Sequence, residues 1–163
     1  MIILGIDPGY ATVGYGVIET DGMRFRTVDY GAVTTPANTP FDIRLEMIYD
    51  GICELCGRYK PDAASVEELF FNTNITTGIA VGHSRGVILL ALRKSGVDFY
   101  EYTPLQVKQS VVGYGRAEKK QVMIMTKTLL GLERMPRPDD AADALALAVC
   151  HAHSAKSQLL GLM

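Results

Sequence analysis

Apolar positions fall in short runs early in the chain and at helical spacing later. Residues 1–6 are an apolar run rich in isoleucine and read as a buried strand. Asp7-Pro8-Gly9-Tyr10 follows as a turn, since Pro and Gly both interrupt regular structure. Residues 13–19 return as a second strand. Thr20-Asp21-Gly22 turns the chain again through an Asp-Gly pair, and residues 23–33 make a third strand. The opening is therefore an antiparallel meander. After a polar loop at 35–40, Ile43, Leu45, Ile48, Ile52 and Leu55 recur at near-helical spacing and predict a helix over 42–59, which Lys60-Pro61-Asp62 ends. Residues 63–71 read as a buried strand, 76–95 as a helix closed by Gly96, 97–102 as a strand and 104–111 as a short helix. Gly113-Tyr114-Gly115 is a loop and 118–130 another helix; Pro136 and Pro138 precede a last helix over 139–153. The order β-β-β-α-β-α-β-α-α-α predicts an α/β protein, a mixed five-stranded sheet flanked by helices.

The 163 residues suit one domain and are enough to bury a core without disulfide or metal staples. Residues 1–155 are expected to form it, with 156–163 as a flexible C-terminal tail. A hydrophobic content of 48% and a charged content of 21% exclude disordered and collagen-like classes. Sixteen Lys and Arg against 18 Asp and Glu, a net charge of −2, exclude a histone-like protein but not a local basic patch. The longest apolar stretch, 144–150, is far short of the roughly 18 residues of a membrane span. With no secretory signal and three cysteines, an odd number, the expected compartment is the reducing cytoplasm.

Chemistry concentrates in the carboxylates. Asp7 closes an otherwise apolar strand, where a carboxylate is costly unless it is paired or binds a metal. Open α/β sheets carry their sites at the carboxyl ends of strands; the bland alternative is a cap on the turn before Gly9. Glu67 and Glu68 are strand neighbours and so point to opposite faces; only one can join Asp7, and the residues alone leave open which. Asp139, Asp140 and Asp143 open the last helix. Taken singly, each is explained by capping and the helix dipole, worth roughly 0.3–1 kcal/mol. Yet Asp140 and Asp143 share a face, and the helix behind them is almost wholly apolar, so both would look into a site. Clustered carboxylates repel unless a cation sits between them. Oxygen-only ligation suits Mg²⁺ or Mn²⁺, and two such ions roughly 4 Å apart can drive phosphodiester cleavage.

Lys108, Arg116, Lys119, Lys120 and Lys127 lie close in sequence with only Glu118 opposing them. On an acidic chain, that local excess favours a phosphate-contacting patch over a merely solvated face, and Arg85, Arg93 and Lys94 are candidates to extend it. Of Phe70 and Phe71, one should face the core and the other could stack on an unpaired base. Cys53-x-x-Cys56 lies mid-helix and reads as buried apolar cysteine, not a zinc or redox site. His151 and His153 read as satisfied or solvated. Gly14-Tyr15-Gly16 opens no helix and is no dinucleotide fingerprint.

Five stretches in order carry a family resemblance: Ile3-Leu4-Gly5-Ile6-Asp7-Pro8-Gly9, Val66-Glu67-Glu68-Leu69-Phe70-Phe71, Gly82-His83-Ser84-Arg85-Gly86, Val112-Gly113-Tyr114-Gly115-Arg116-Ala117-Glu118-Lys119, and Asp140-Ala141-Ala142-Asp143-Ala144-Leu145. Over nearly its whole length the chain resembles the RuvC family of bacterial Holliday junction resolvases. The resemblance implies a ribonuclease H-like fold, a homodimer and Mg²⁺-dependent endonuclease activity on four-way DNA junctions, made as paired, symmetric nicks. It places the catalytic, metal-holding carboxylates at Asp7, Glu67, Asp140 and Asp143, so it selects Glu67 over Glu68 and leaves Asp139 aside. It puts a junction-contacting Phe at Phe70, basic contacts at Lys108 and Lys119, and a partnership with the RuvA–RuvB branch-migration complex. His83-Ser84 stands where Gln-Ala is usual. The competing readings are another ribonuclease H-like nuclease, an actin-like ATPase built on Asp7-Pro8-Gly9, and a non-catalytic junction binder.

Overall fold

The structure is a computed structural model that describes residues 1–68 and 75–159. Strands β1 (Ile2–Asp7), β2 (Thr12–Thr20) and β3 (Phe25–Thr34) form the antiparallel meander. β4 (Ala63–Glu67) and β5 (Phe99–Tyr102) extend the sheet in parallel from β1, giving the order β3-β2-β1-β4-β5. The helices are α1 (Phe41–Tyr59), α2 (Ile75–Lys94), α3 (Pro104–Val112), α4 (Lys119–Leu129) and α5 (Asp139–Leu159).

Period-two alternation splits the strand residues between two cores. Leu4, Ile6, Val13, Val17, Ala64 and Val66 pack with α1 and α2. Ile3 and Ile18 face α3, α4 and α5 on the other side. On that second face the strands present small residues. A Cβ at Gly5 would strike the Ala144 carbonyl, and one at Gly14 the Asp140 carbonyl, so α5 lies directly on the β1–β2 backbone. The helix answers with Ala141, Ala142, Ala144, Ala146 and Ala148, all buried. Ser65 locks the contact by donating its hydroxyl to the Leu147 carbonyl at 2.7 Å.

The predicted elements are all present, with shifted ends. β4 ends at Glu67, where its neighbours end too: β1 at Asp7, before Pro8, and β5 at Tyr102; residues 69–71 of the expected strand lie outside the described residues. β3 starts at Phe25 because the Asp21 carboxylate accepts the Met23 and Arg24 N–H groups and prolongs the turn. Val97 precedes β5 and closes the turn after α2, since its N–H returns to the Leu92 carbonyl at 3.0 Å behind Gly96 at φ 72°. α5 continues to Leu159, past the expected end at 153. No helix among the described residues is long and apolar enough to cross a membrane.

Candidate active site

A pocket of about 430 Å³ opens where β1 and β4 end, lined by Asp7, Glu67, Asp140, Asp143, Lys108 and Lys119. Each arrives from a different local cause. Asp7 follows Ile3 and Gly5 along β1 and so faces α5. Glu67 follows Ser65, whose hydroxyl is bonded to α5, and faces the same side. Glu68, one residue on, is exposed and lies outside the pocket lining. Strand alternation thus makes the choice the residues alone left open. Asp140 and Asp143 occupy the start of α5, and the contact of Gly14 with Asp140 seats that end of the helix against β2.

The basic residues sit on two short helices with strong starts. Thr103 and Gln106 form a reciprocal capping box at α3, with Pro104 in the first turn, and this sets Lys108 one turn along. Glu118 and Gln121 do the same for α4, whose first residue is Lys119. A cation in the first turn opposes the helix dipole. Here it is held by the carboxylates: Lys119 Nζ donates to Asp143 Oδ2 at 2.6 Å.

The electrostatics are those of crowded acid. Loss of water, followed by the charges of Glu67, Asp143 and Asp140, pushes the Asp7 carboxyl up to about 8. Glu67 is raised by burial and by Asp143, against a hydrogen bond with Asp7. Lys119 is raised, foremost by its bond to Asp143. Among the described residues no three His, Cys, Asp or Glu side chains stand ready as a metal cage. Asp143 is turned to Lys119, and Asp7 shares a hydrogen bond with Glu67.

Other expected contacts divide. Arg116 and Lys120 are exposed beside Lys119 but outside the pocket lining. Arg93 and Lys94 close the far end of α2, away from the carboxyl ends of the strands. Arg85 turns inward, pairing with Glu101 and donating to the Glu67 carbonyl. Phe70 lies outside the described residues. Asp139 is paired with Arg137 at the surface. Cys56 is buried and Cys53 partly so, His151 is buried against the Tyr102 hydroxyl at 2.8 Å, and His153 meets Ser110 at 3.1 Å, as the apolar and satisfied readings expected. Sequence reasoning missed Gly5, Gly14 and Gly16. Their signal was present: small residues at alternate strand positions facing an alanine-rich helix.

The family model described as "Crossover junction endodeoxyribonuclease RuvC" matches residues 3–151. The chain belongs to the RuvC family. It is 58% identical over 154 residues to the RuvC protein of Ruminiclostridium cellulolyticum, covering 94% of this chain and 93% of that relative. It is also 58% identical over 160 residues to that of Alkaliphilus metalliredigens, with 98% of both covered. The solved structure of T. thermophilus RuvC in complex with Holliday junction substrate superposes with a TM-score of 0.92 at 38% identity, covering 97% of this chain and 96% of that one. The ribonuclease H-like fold is thereby shown, and the family is one of metal-dependent endodeoxyribonucleases.

Proposed function

We propose that the protein is a structure-selective endonuclease that resolves four-way DNA junctions in recombination and repair. It nicks two strands of like polarity symmetrically and leaves 5′-phosphate and 3′-hydroxyl ends. One observation carries the reading: Asp7, Glu67, Asp140 and Asp143 meet in one pocket edged by Lys108 and Lys119.

The donor set fits a hard divalent cation, since all four groups are carboxylates and burial, followed by the charges of its neighbours, already lifts Asp7 to about 8. These residues would hold Mg²⁺, two ions per subunit with Mn²⁺ as a substitute, supplying Lewis acidity for attack on phosphorus and for the leaving oxygen. Lys119 would turn from Asp143 to the DNA backbone as the carboxylates are neutralised. Lys108, Arg116 and Lys120 would extend that contact, and Phe70 would stack at the junction centre.

A junction with two-fold symmetry calls for two identical sites, hence a homodimer. Support comes from an apolar groove of about 460 Å³ along α2, lined by Leu45, Ile79, Gly82, His83, Gly86 and Leu90, with Ile79 and Leu90 half exposed. The protein would work in the cytoplasm with the RuvA–RuvB complex, as the family does.

The test is cleavage of a mobile four-way junction with Mg²⁺ beside linear duplex of the same sequence. Paired nicks on the junction alone are expected. Binding without nicks, even with Mn²⁺, would make the protein a structural junction binder.

A further inference from the structure

The ends of the two carboxylate-bearing strands are tied down from outside the sheet. The Ala64 and Glu68 N–H groups donate to Asp98 and Tyr102 of the β5 side, each at 2.9 Å. Alternation then turns the peptide group of Glu67 toward β1. Ile6 pairs with Val66, so the next N–H able to meet the Glu67 carbonyl belongs to residue 8. That residue is Pro8, which has none. Arg85 fills the gap: its Nε donates to the Glu67 carbonyl at 3.3 Å. Its side chain is only 17% exposed and also pairs with Glu101 of β5. The preceding residue, Ser84, is fully buried and donates its hydroxyl to the Gly9 carbonyl, two residues past Asp7, at 2.5 Å. Adjacent residues of one helix thus fasten both strand ends.

We propose that Ser84 and Arg85 are positioning residues, which hold the ends of β1 and β4 at the spacing that sets Asp7 beside Glu67. Arg85 does its work there and not on the DNA backbone. The inference rests on reading the pocket as a nuclease site.

In Arg85→Met and Arg85→Lys, single-turnover junction cleavage slows about ten- to a hundredfold. Junction affinity without divalent metal, and its salt dependence, stay those of the unaltered protein. Lysine keeps the charge but lacks the fixed planar fork of donors, so it restores a phosphate contact and not this one. Ser84→Ala slows cleavage about three- to tenfold, again with binding unchanged. Amide hydrogen exchange over residues 66–68 accelerates in Arg85→Met. The proposal is overturned by weaker binding with a salt slope lowered by about one that Arg85→Lys restores. Unchanged cleavage in both Arg85 variants also overturns it. Should Arg85→Met not fold, Arg85→Lys and Ser84→Ala decide. If the unaltered protein does not nick junctions, the nuclease reading fails, and unchanged exchange then separately removes the tether.

Discussion

On the α5 side of the sheet, helix meets strand through glycine and alanine, backbone against backbone. On the opposite side Leu4, Ile6, Val13 and Val17 interlock with Ile48, Ile52, Ile88 and Leu92. The second face is an ordinary packed core, able to absorb the loss of a methyl group. The first has no such freedom, because its thickness sets how far Asp140 and Asp143 stand from Asp7 and Glu67. One face supplies much of the apolar burial; the other fixes the site.

The largest effect should come from thickening the first face. Gly14→Val would drive a branched side chain into the Asp140 backbone. It is expected to abolish cleavage and to cost about 3 kcal/mol or more in urea unfolding. Normal cutting by this variant would break the comparison.

Asp7→Asn should abolish cleavage and spare junction binding, read by gel shift beside the nicking assay. It also carries a pH signature. Folding raises the Asp7 carboxyl from its ordinary 3.8 to about 8, so the folded state holds that proton more tightly. Its favourable contribution is complete below about pH 4 and is lost as pH rises to about 8. In chelator, Asp7→Asn should therefore melt higher than the unaltered protein at pH 8, by a few kcal/mol at most, and at the same temperature near pH 4. For the same reason divalent affinity should climb with pH up to about 8, measurable by titration calorimetry. A pH-independent affinity would remove Asp7 from the ligand set.

Lys119→Ala should weaken junction binding and lower its salt slope by about one. An unchanged slope in salt titrations would take Lys119 off the phosphates. The smallest effect sharpens the contrast: Ile52→Val, on the α1 face, should cost about 0.5–1.5 kcal/mol and leave cleavage untouched.

Much of this was legible in advance. The five strands and five helices, and the turns at 7–10 and 20–22, follow from periodicity and from Pro, Gly and Asp placement, which act between near neighbours. The candidate carboxylates stood out because each interrupted an apolar element. Strand ends were less legible, since β4 ends where its neighbours end and not where its own residues turn polar.

The sequence by itself determined the elements, the set of candidate carboxylates and the local excess of basic residues, because propensity, spacing and charge are properties of a short stretch. Tertiary structure decided which of them meet. It placed Glu67 beside Asp7 and left Glu68 outside, turned Arg85 inward to a carbonyl that Pro8 leaves without a ladder partner, and seated α5 on Gly5 and Gly14. Those outcomes depend on register between strands distant in sequence and on the thickness of a packed layer, and no local stretch of residues encodes either.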